Sequence, residues 1–389
     1  MKVCDITQFW SPVSGGVRRY VSEKIRHLRA RGGRHVLIVP GERDEVCGDD
    51  SARIYTIASP MVSEVTGYRV MLRLGEIGRI LSAEQPGIVE SGDPYQVGWR
   101  VAREGARLGI PAVAFYHSHF VESELRPAGE RISPLLGGWL AKLGADYTRS
   151  LYNKFARTLV PSPELAAVLS GWGVENVAEV DLGVDVNLFR PDDEPKATIR
   201  RRLDLPENAC VLLSVGRLAM EKGTRELCEA FAMLAARRPG EFQLVVSGEG
   251  LQAHRVASLA AVTGAVTHRE FISDPSTLRD LYRAADLFVH PGVCETFGLV
   301  TLEAQACGVP VVGFSGTAMD RIVCHDRSFW AREHTPAALA DAIENACLRD
   351  LRAMGAAAAV RVAARFAWEH VFNAQFDLYA EVMQNMPRS

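Results

Sequence analysis

The eight cysteines, Cys4, Cys47, Cys210, Cys228, Cys294, Cys307, Cys324 and Cys347, include no Cys-x-x-Cys spacing. That excludes a zinc ribbon or a thioredoxin-type site. Several lie inside apolar runs, as Cys210 does before Val211-Leu212-Leu213, so buried, reduced thiols are expected. No uninterrupted apolar stretch reaches about 18 residues, so no membrane-spanning helix is expected. The start, Met1-Lys2-Val3-Cys4-Asp5, lacks the apolar stretch of a signal peptide, and a cytoplasmic location is expected. Neither charge is in excess: 44 Lys and Arg against 47 Asp and Glu leave a net charge of −3. A dedicated nucleic-acid binder would carry a basic surplus, so no nucleic-acid partner is expected. There is no Gly-x-x-x-x-Gly-Lys-Ser/Thr loop and no Asp-x-Asp pair. P-loop phosphoryl transfer and a metal-bridged diphosphate of the paired-aspartate kind are therefore set aside.

What is present is an ordinary globular composition of 389 residues, 48% apolar and 23% charged. At roughly 150 residues per domain, two domains are expected. Short β-branched runs alternate with longer helical patterns. The runs are Val3–Thr7, Val36–Val39, Ile88–Glu90 and Ala112–Tyr116, then Val211–Val215, Gln243–Ser247, Leu287–His290 and Val309–Gly313. Such alternation argues for parallel sheets built from βαβ units. The fold expected is α/β, with two Rossmann-like doubly wound domains and a ligand site in the cleft between them. Pro and clustered acids from Asp185 to Pro195 mark a connector. The first domain is expected over 1–187 and the second over 188–370. Pro336 to Met386 reads as mostly helical, and a C-terminal helix over 371–389 is expected to pack back on the first domain.

Five strings carry candidate chemistry. Gly15-Gly16 follows the first strand and opens a helix whose Val17, Val21, Ile25 and Leu28 share one face. Bare amides at a helix start suit an anion, though a tight turn explains two glycines equally well. Gly216-Arg217 and Lys222 follow the strand ending at Val215, where two cations suit a diphosphate. Glu295-Thr296-Phe297-Gly298-Leu299-Val300 leads to Glu303. Eight residues along a helix span about 12 Å, comparable to the reach from ribose to sugar in an extended nucleotide sugar. The Gly298 and Leu299 amides at that helix start could hold phosphate. His117-Ser118-His119 ends the strand Ala112–Tyr116, where His can bond a sugar or move a proton. No ligand set with convincing metal spacing accompanies these histidines, so no metal is expected. Gly248-Glu249-Gly250-Leu251-Gln252-Ala253 fits the relaxed dinucleotide fingerprint, with Glu270 about 20 residues on. A nicotinamide-dependent oxidoreductase is therefore a rival reading.

Taken together these strings resemble the GT-B glycosyltransferases, and among them the retaining group called family 4. The resemblance runs from Gly15-Gly16 through Gly316. Its most specific part is Ala284 to Val312, which holds Glu295 and Glu303 as the Glu-x7-Glu motif and continues Ala304-Gln305-Ala306-Cys307-Gly308-Val309-Pro310. The resemblance implies transfer of a hexose-type sugar from a UDP- or GDP-linked donor with retention of configuration. The acceptor it leaves open is a lipid, a glycan or a small molecule. It implies no cofactor and no metal, because protein cations and amides replace the ion. It assigns catalytic roles to His117, Arg217, Lys222 and Glu295. It assigns donor binding to Gly15, Gly16, Gly216, Gly248, Ile272, Thr296, Phe297, Gly298, Leu299, Val300 and Glu303. Other enzymes of the same fold, a phosphorylase or a sugar-nucleotide epimerase, remain alternatives, as does a non-catalytic partner subunit. Two departures stand out. Ser315-Gly316-Thr317-Ala318-Met319-Asp320 occupies the place of the family's Gly-Gly and Glu, and His119 follows His117 as in a lipid-directed branch.

One local bias is concealed by the balanced charge. From Arg18 to Arg34 there are seven basic residues and one acid, Glu23. The apolar stripe is expected to face the core and Arg19, Lys24 and Arg26 to face outward. Such a face is either simply solvated or a peripheral contact with the inner, anionic face of a membrane, at about 1 kcal/mol per cation.

Overall fold

The computed structural model describes residues 1–11, 15–63, 67–117, 119–385. Ser118 of the His-Ser-His string, Met386, and the rest of the expected C-terminal helix to Ser389 lie outside the described residues. The chain forms two compact units, Met1–Leu182 with Glu369–Ser389, and Gly183–Trp368.

The first unit is built on β1 (Lys2–Ile6), β2 (Arg34–Gly41), β3 (Glu45–Gly48), β4 (Ala52–Ala58), β5 (Met61–Ser63), β6 (Tyr68–Arg69), β7 (Ile88–Ser91), β8 (Ala112–Phe115), β9 (Arg157–Val160) and β10 (Val177–Glu179). Eight of these make one sheet in the order β10-β9-β8-β7-β1-β2-β4-β3, and β5 pairs with β6 apart from it. All neighbours in the large sheet are parallel except β3 against β4. Its central strands are covered on both faces, so they read as continuous apolar runs: Val36, Leu37 and Ile38, or Ile88 and Val89, are at most 1% exposed. The helix Gly15–Ala30 buries Tyr20, Val21, Lys24 and Leu28.

The second unit has a five-stranded parallel sheet in the order β13-β12-β11-β14-β15. Its strands are β11 (Cys210–Val215), β12 (Phe242–Ser247), β13 (Val266–Arg269), β14 (Leu287–His290) and β15 (Val311–Gly313). Leu212, Leu213, Phe288, Val289 and Val311 are fully buried at its centre.

In each sheet the strand order reverses at one point: between β1 and β7 in the first unit, and between β11 and β14 in the second. At such a point successive connections leave the sheet in opposite directions. They open a crevice beyond the carboxyl ends of the two strands, where doubly wound sheets bind ligands.

One expectation is corrected. Lys24 does not face outward. Its Nζ is fully buried, 2.8 Å from Asp5 Oδ1 and 2.9 Å from Glu90 Oε1, and lies 4.4 Å from the Tyr20 ring centre. A helix face is set by what lies beneath it, and here β1 and β7 present carboxylates.

Candidate active site

The second unit assembles its site at the β11/β14 reversal. β11 ends at Val215, and Gly216 and Arg217 follow as an exposed loop. A short 3-10 turn, Met220–Lys222, then closes at Gly223. Gly223 has φ +70, and a side chain there would stand 2.4 Å from the Pro291 carbonyl oxygen. Only glycine lets the turn after β11 lie this close to the loop after β14. That approach brings Lys222 Nζ to 2.6 Å from Glu295 Oε1. His290, the last residue of β14, places Nε2 3.4 Å from the same oxygen. Burial alone would raise the Glu295 pKa, but the Lys222 charge and the His290 hydrogen bond outweigh it and hold the carboxyl well below the usual range. Glu295 is therefore an anion, acceptor-only, held at the mouth of the sheet.

Beyond it, Thr296 is half-buried and Phe297 is 2% exposed. Phe297 packs edge-on against Phe366, with Arg321 over its ring. Its side chain thus anchors the loop. Gly298 precedes the helix Leu299–Ala306, whose start has no side-chain cap. An uncapped start leaves first-turn amides for an anion. Leu299 and Val300 are half-buried in that turn. Glu303 is 2% exposed, and its Oε2 accepts the Tyr282 hydroxyl at 2.9 Å.

Gly248 follows β12. A side chain on Gly248 would lie 1.9 Å from the Gly216 carbonyl oxygen, and one on Gly250 2.3 Å from that of Leu218. Leu218 N–H donates to Glu249 O at 2.8 Å, and Gln252 N–H to Leu218 O at 3.0 Å. The two glycines of the dinucleotide-like string therefore serve close backbone packing against the Gly216–Leu218 loop. Ile272 is half-buried in the loop after β13. Arg217 is exposed, and its Nη2 lies 3.1 Å from Glu221 Oε1 rather than on Glu295. In the divergent loop, Asp320 accepts the Gly316 N–H at 2.9 Å and pairs with Arg327 at 2.6 Å. That carboxylate is committed to holding its own loop.

The first unit carries further candidates beyond the carboxyl ends of β1 and β8. Gly15 and Gly16 are exposed at the start of their helix. His117 stands just past β8, with Nδ1 3.3 Å from Phe115 O and its ring edge-on to Phe9 at 5.4 Å. Burial lowers its pKa to about 4, so it is neutral at pH 7. His119 makes a 3.3 Å contact with the Tyr116 hydroxyl through Nδ1 and packs by Trp172.

Two residues of interest escape sequence reading. His290 looks like the end of an apolar strand, and only the fold puts it on Glu295. Asp93, just past β7, is 1% exposed; its Oδ1 accepts the Tyr95 N–H at 2.8 Å, and among the described residues no hydrogen bond of good geometry reaches its Oδ2. Burial raises its pKa to about 7. The Gly-Asp-Pro turn around it reads as ordinary loop, and burial is the signal that sets it apart.

Residues 195–359 match the family model of glycosyl transferases group 1, and residues 14–188 match that of glycosyltransferase family 4. A D-inositol 3-phosphate glycosyltransferase of Thermobispora bispora is 36% identical over 319 residues, 76% of this chain and 70% of the relative. A GDP-mannose-dependent alpha-mannosyltransferase of Corynebacterium glutamicum is 30% identical over 322 residues, 80% of this chain and 72% of the relative. Among solved structures, sucrose-phosphate synthase of Thermosynechococcus elongatus superposes with a TM-score of 0.75 at 22% identity, covering 99% of each chain. That last likeness is one of fold.

Proposed function

We propose, for a chain that belongs to the group 1, family 4 glycosyltransferases and is a nucleotide-sugar glycosyltransferase of GT-B fold, a retaining, metal-independent transfer of a hexose from a UDP- or GDP-linked donor. The two family models and the two relatives named above are glycosyltransferases, which favours this reading over an oxidoreductase, a phosphorylase or an epimerase. GDP-mannose is the first donor to try, since one relative is named for dependence on it.

The observation that carries this reading is the Lys222–Glu295 pair at the β11/β14 reversal. A cation and a fixed anion at one crevice mouth match the two ends of a diphosphate sugar. Lys222 and Arg217 face the departing diphosphate, with the amides of Gly298 and Leu299 as further donors. Arg217, exposed and paired with Glu221 at 3.1 Å, gives up little to turn toward phosphate. Glu295 accepts hydrogen bonds from sugar hydroxyls once phosphate has taken Lys222. Glu303, whose Oε2 Tyr282 orients, takes the ribose. Gly15 and Gly16 start a helix in the first unit, where bare amides suit an anion. His117, neutral at pH 7, bonds a sugar hydroxyl without bringing a charge. The acceptor's proton passes to the departing phosphate oxygen, so no side chain is assigned as base.

Proton NMR of the product's anomeric signal tests the stereochemistry: retention is expected, and inversion overturns the mechanism. Excess EDTA is expected to leave turnover within about twofold. A loss of ten-fold or more, restored by a divalent cation, would show that an ion does the work assigned here to Lys222 and Arg217.

The acceptor proposed is anionic or lipid-linked, reached at the inner face of a membrane. No helix among the described residues is long and apolar enough to cross a membrane. Arg18, Arg26, Arg29, Arg31 and Arg34 are exposed, which supports contact with anionic lipid, although Arg26 and Arg29 also pair with Glu23 and Asp49. Exposed Ile132, Leu135, Trp139 and Leu143 add apolar surface of the kind a bilayer takes up.

A further inference from the structure

We propose that Cys210 and Cys347 are a redox-modification site, which a peroxide oxidises to an intramolecular disulfide tying the start of β11 to the end of the helix Pro336–Cys347. Their sulfurs lie 3.6 Å apart across 137 positions of sequence. Both side chains are partly exposed, so a small oxidant reaches them. A disulfide needs about 2.05 Å, so the sulfurs must close by about 1.5 Å. Each cysteine is the terminal residue of its element. Backbone at an element's end yields more readily than at its centre, and side-chain rotation supplies much of the rest.

The contact also orders the chemistry. The two sulfurs share a hydrogen bond in which either can donate; with Cys347 accepting, its thiol is held below its usual pKa and Cys210 above it. Cys347 is thus the thiol more readily ionised, and it attacks the peroxide first. Its thiolate sulfur bonds one peroxide oxygen as the O–O bond breaks, giving a sulfenic acid and, after proton uptake, one molecule of water for hydrogen peroxide. The Cys210 sulfur then displaces the hydroxyl from that sulfenic acid, and its proton leaves with the hydroxyl as a second water. Two thiols and one peroxide become one disulfide and two waters, with two electrons passing from sulfur to oxygen.

The consequence is for stability rather than for transfer. The bond closes a long loop and so restricts the unfolded chain. Arg217 and Lys222 follow the other end of β11, about 20 Å along six residues of strand. Oxidation therefore raises the melting temperature and leaves the turnover rate within about twofold.

The test uses the full chain, treated with hydrogen peroxide, alkylated and digested for mass spectrometry. The expected product is a Cys210–Cys347 linked peptide, two hydrogens lighter than its separate parts and split by dithiothreitol. The melting temperature should rise by about 5 °C or more. Cys210→Ser and Cys347→Ser should each abolish both effects while melting like the reduced protein. Three results overturn the proposal: both peptides recovered singly alkylated, Cys347 recovered as sulfinic acid in place of the link, or a linked peptide accompanied by a fall in melting temperature.

Discussion

Lys24 shows how a single residue can be read correctly as basic and wrongly as surface. Its helical position lies beside the apolar stripe, and nothing nearby in sequence announces Asp5, Glu90 or Tyr379, which meet it from β1, β7 and the C-terminal helix. Gln375 completes the cluster by donating to Glu90 at 3.0 Å. Every charge there depends on another. Lys24→Met should cost about 3–5 kcal/mol in urea unfolding, because two buried carboxylates lose their cation. Adding Glu90→Gln should recover part of that loss; a purely additive double variant would show that the cluster is not coupled. Asp93 offers a pH test. Its folded pKa of about 7 lies above the unfolded value near 3.8, so the folded chain holds a proton that the unfolded chain releases. Stability therefore falls as pH rises from about 4 through 7. Asp93→Asn should raise stability at pH 8 by about 2–4 kcal/mol and change it little at pH 4. Equal effects at both values would remove Asp93 from the account. His117, with a folded pKa of about 4, acts in the opposite sense: its contribution is present above about pH 6.5 and is lost as pH falls through 4.

Elements were legible where burial is two-sided. The runs at Val36–Val39, Gln243–Ser247 and Leu287–His290 all fall within strands, because a strand covered on both faces must be apolar throughout. β3 escaped notice: Glu45-Val46-Cys47-Gly48 is exposed along its length, so it carries no hydrophobic pattern and is held by its antiparallel pairing to β4. Gly248 and Gly250 mislead in another way. Their spacing suits a dinucleotide, but the space they leave is filled by the Gly216–Leu218 backbone. Gly248→Ala should therefore destabilise the second unit by about 1–3 kcal/mol and reduce turnover by displacing Arg217. Wild-type stability, measured by thermal unfolding, would show that the close approach is not required.

At the scale of the whole chain, both units repeat one solution: a parallel sheet, a reversal in strand order, and polar residues just past the carboxyl ends of the strands at that reversal. In the second unit, motif spacing and family resemblance single out the same candidates, Arg217, Lys222, Glu295 and Glu303. The pairing of Lys222 with Glu295, and the addition of His290, required the fold. Membrane contact belongs to this scale as well. Sedimentation with vesicles containing anionic lipid should give binding that weakens with salt, and Trp139→Ser should reduce it. Salt-insensitive absence of binding would leave the Arg18–Arg34 face as simply solvated. The central claim is that Lys222 and Glu295 act together on a nucleotide sugar. The most direct measurement is nucleotide release from a panel of UDP- and GDP-sugars by the wild-type chain and by Lys222→Ala and Glu295→Gln. The account predicts turnover with one donor, and a loss of roughly 10²–10³-fold in each variant with folding intact. Near-wild-type turnover by either folded variant would contradict it.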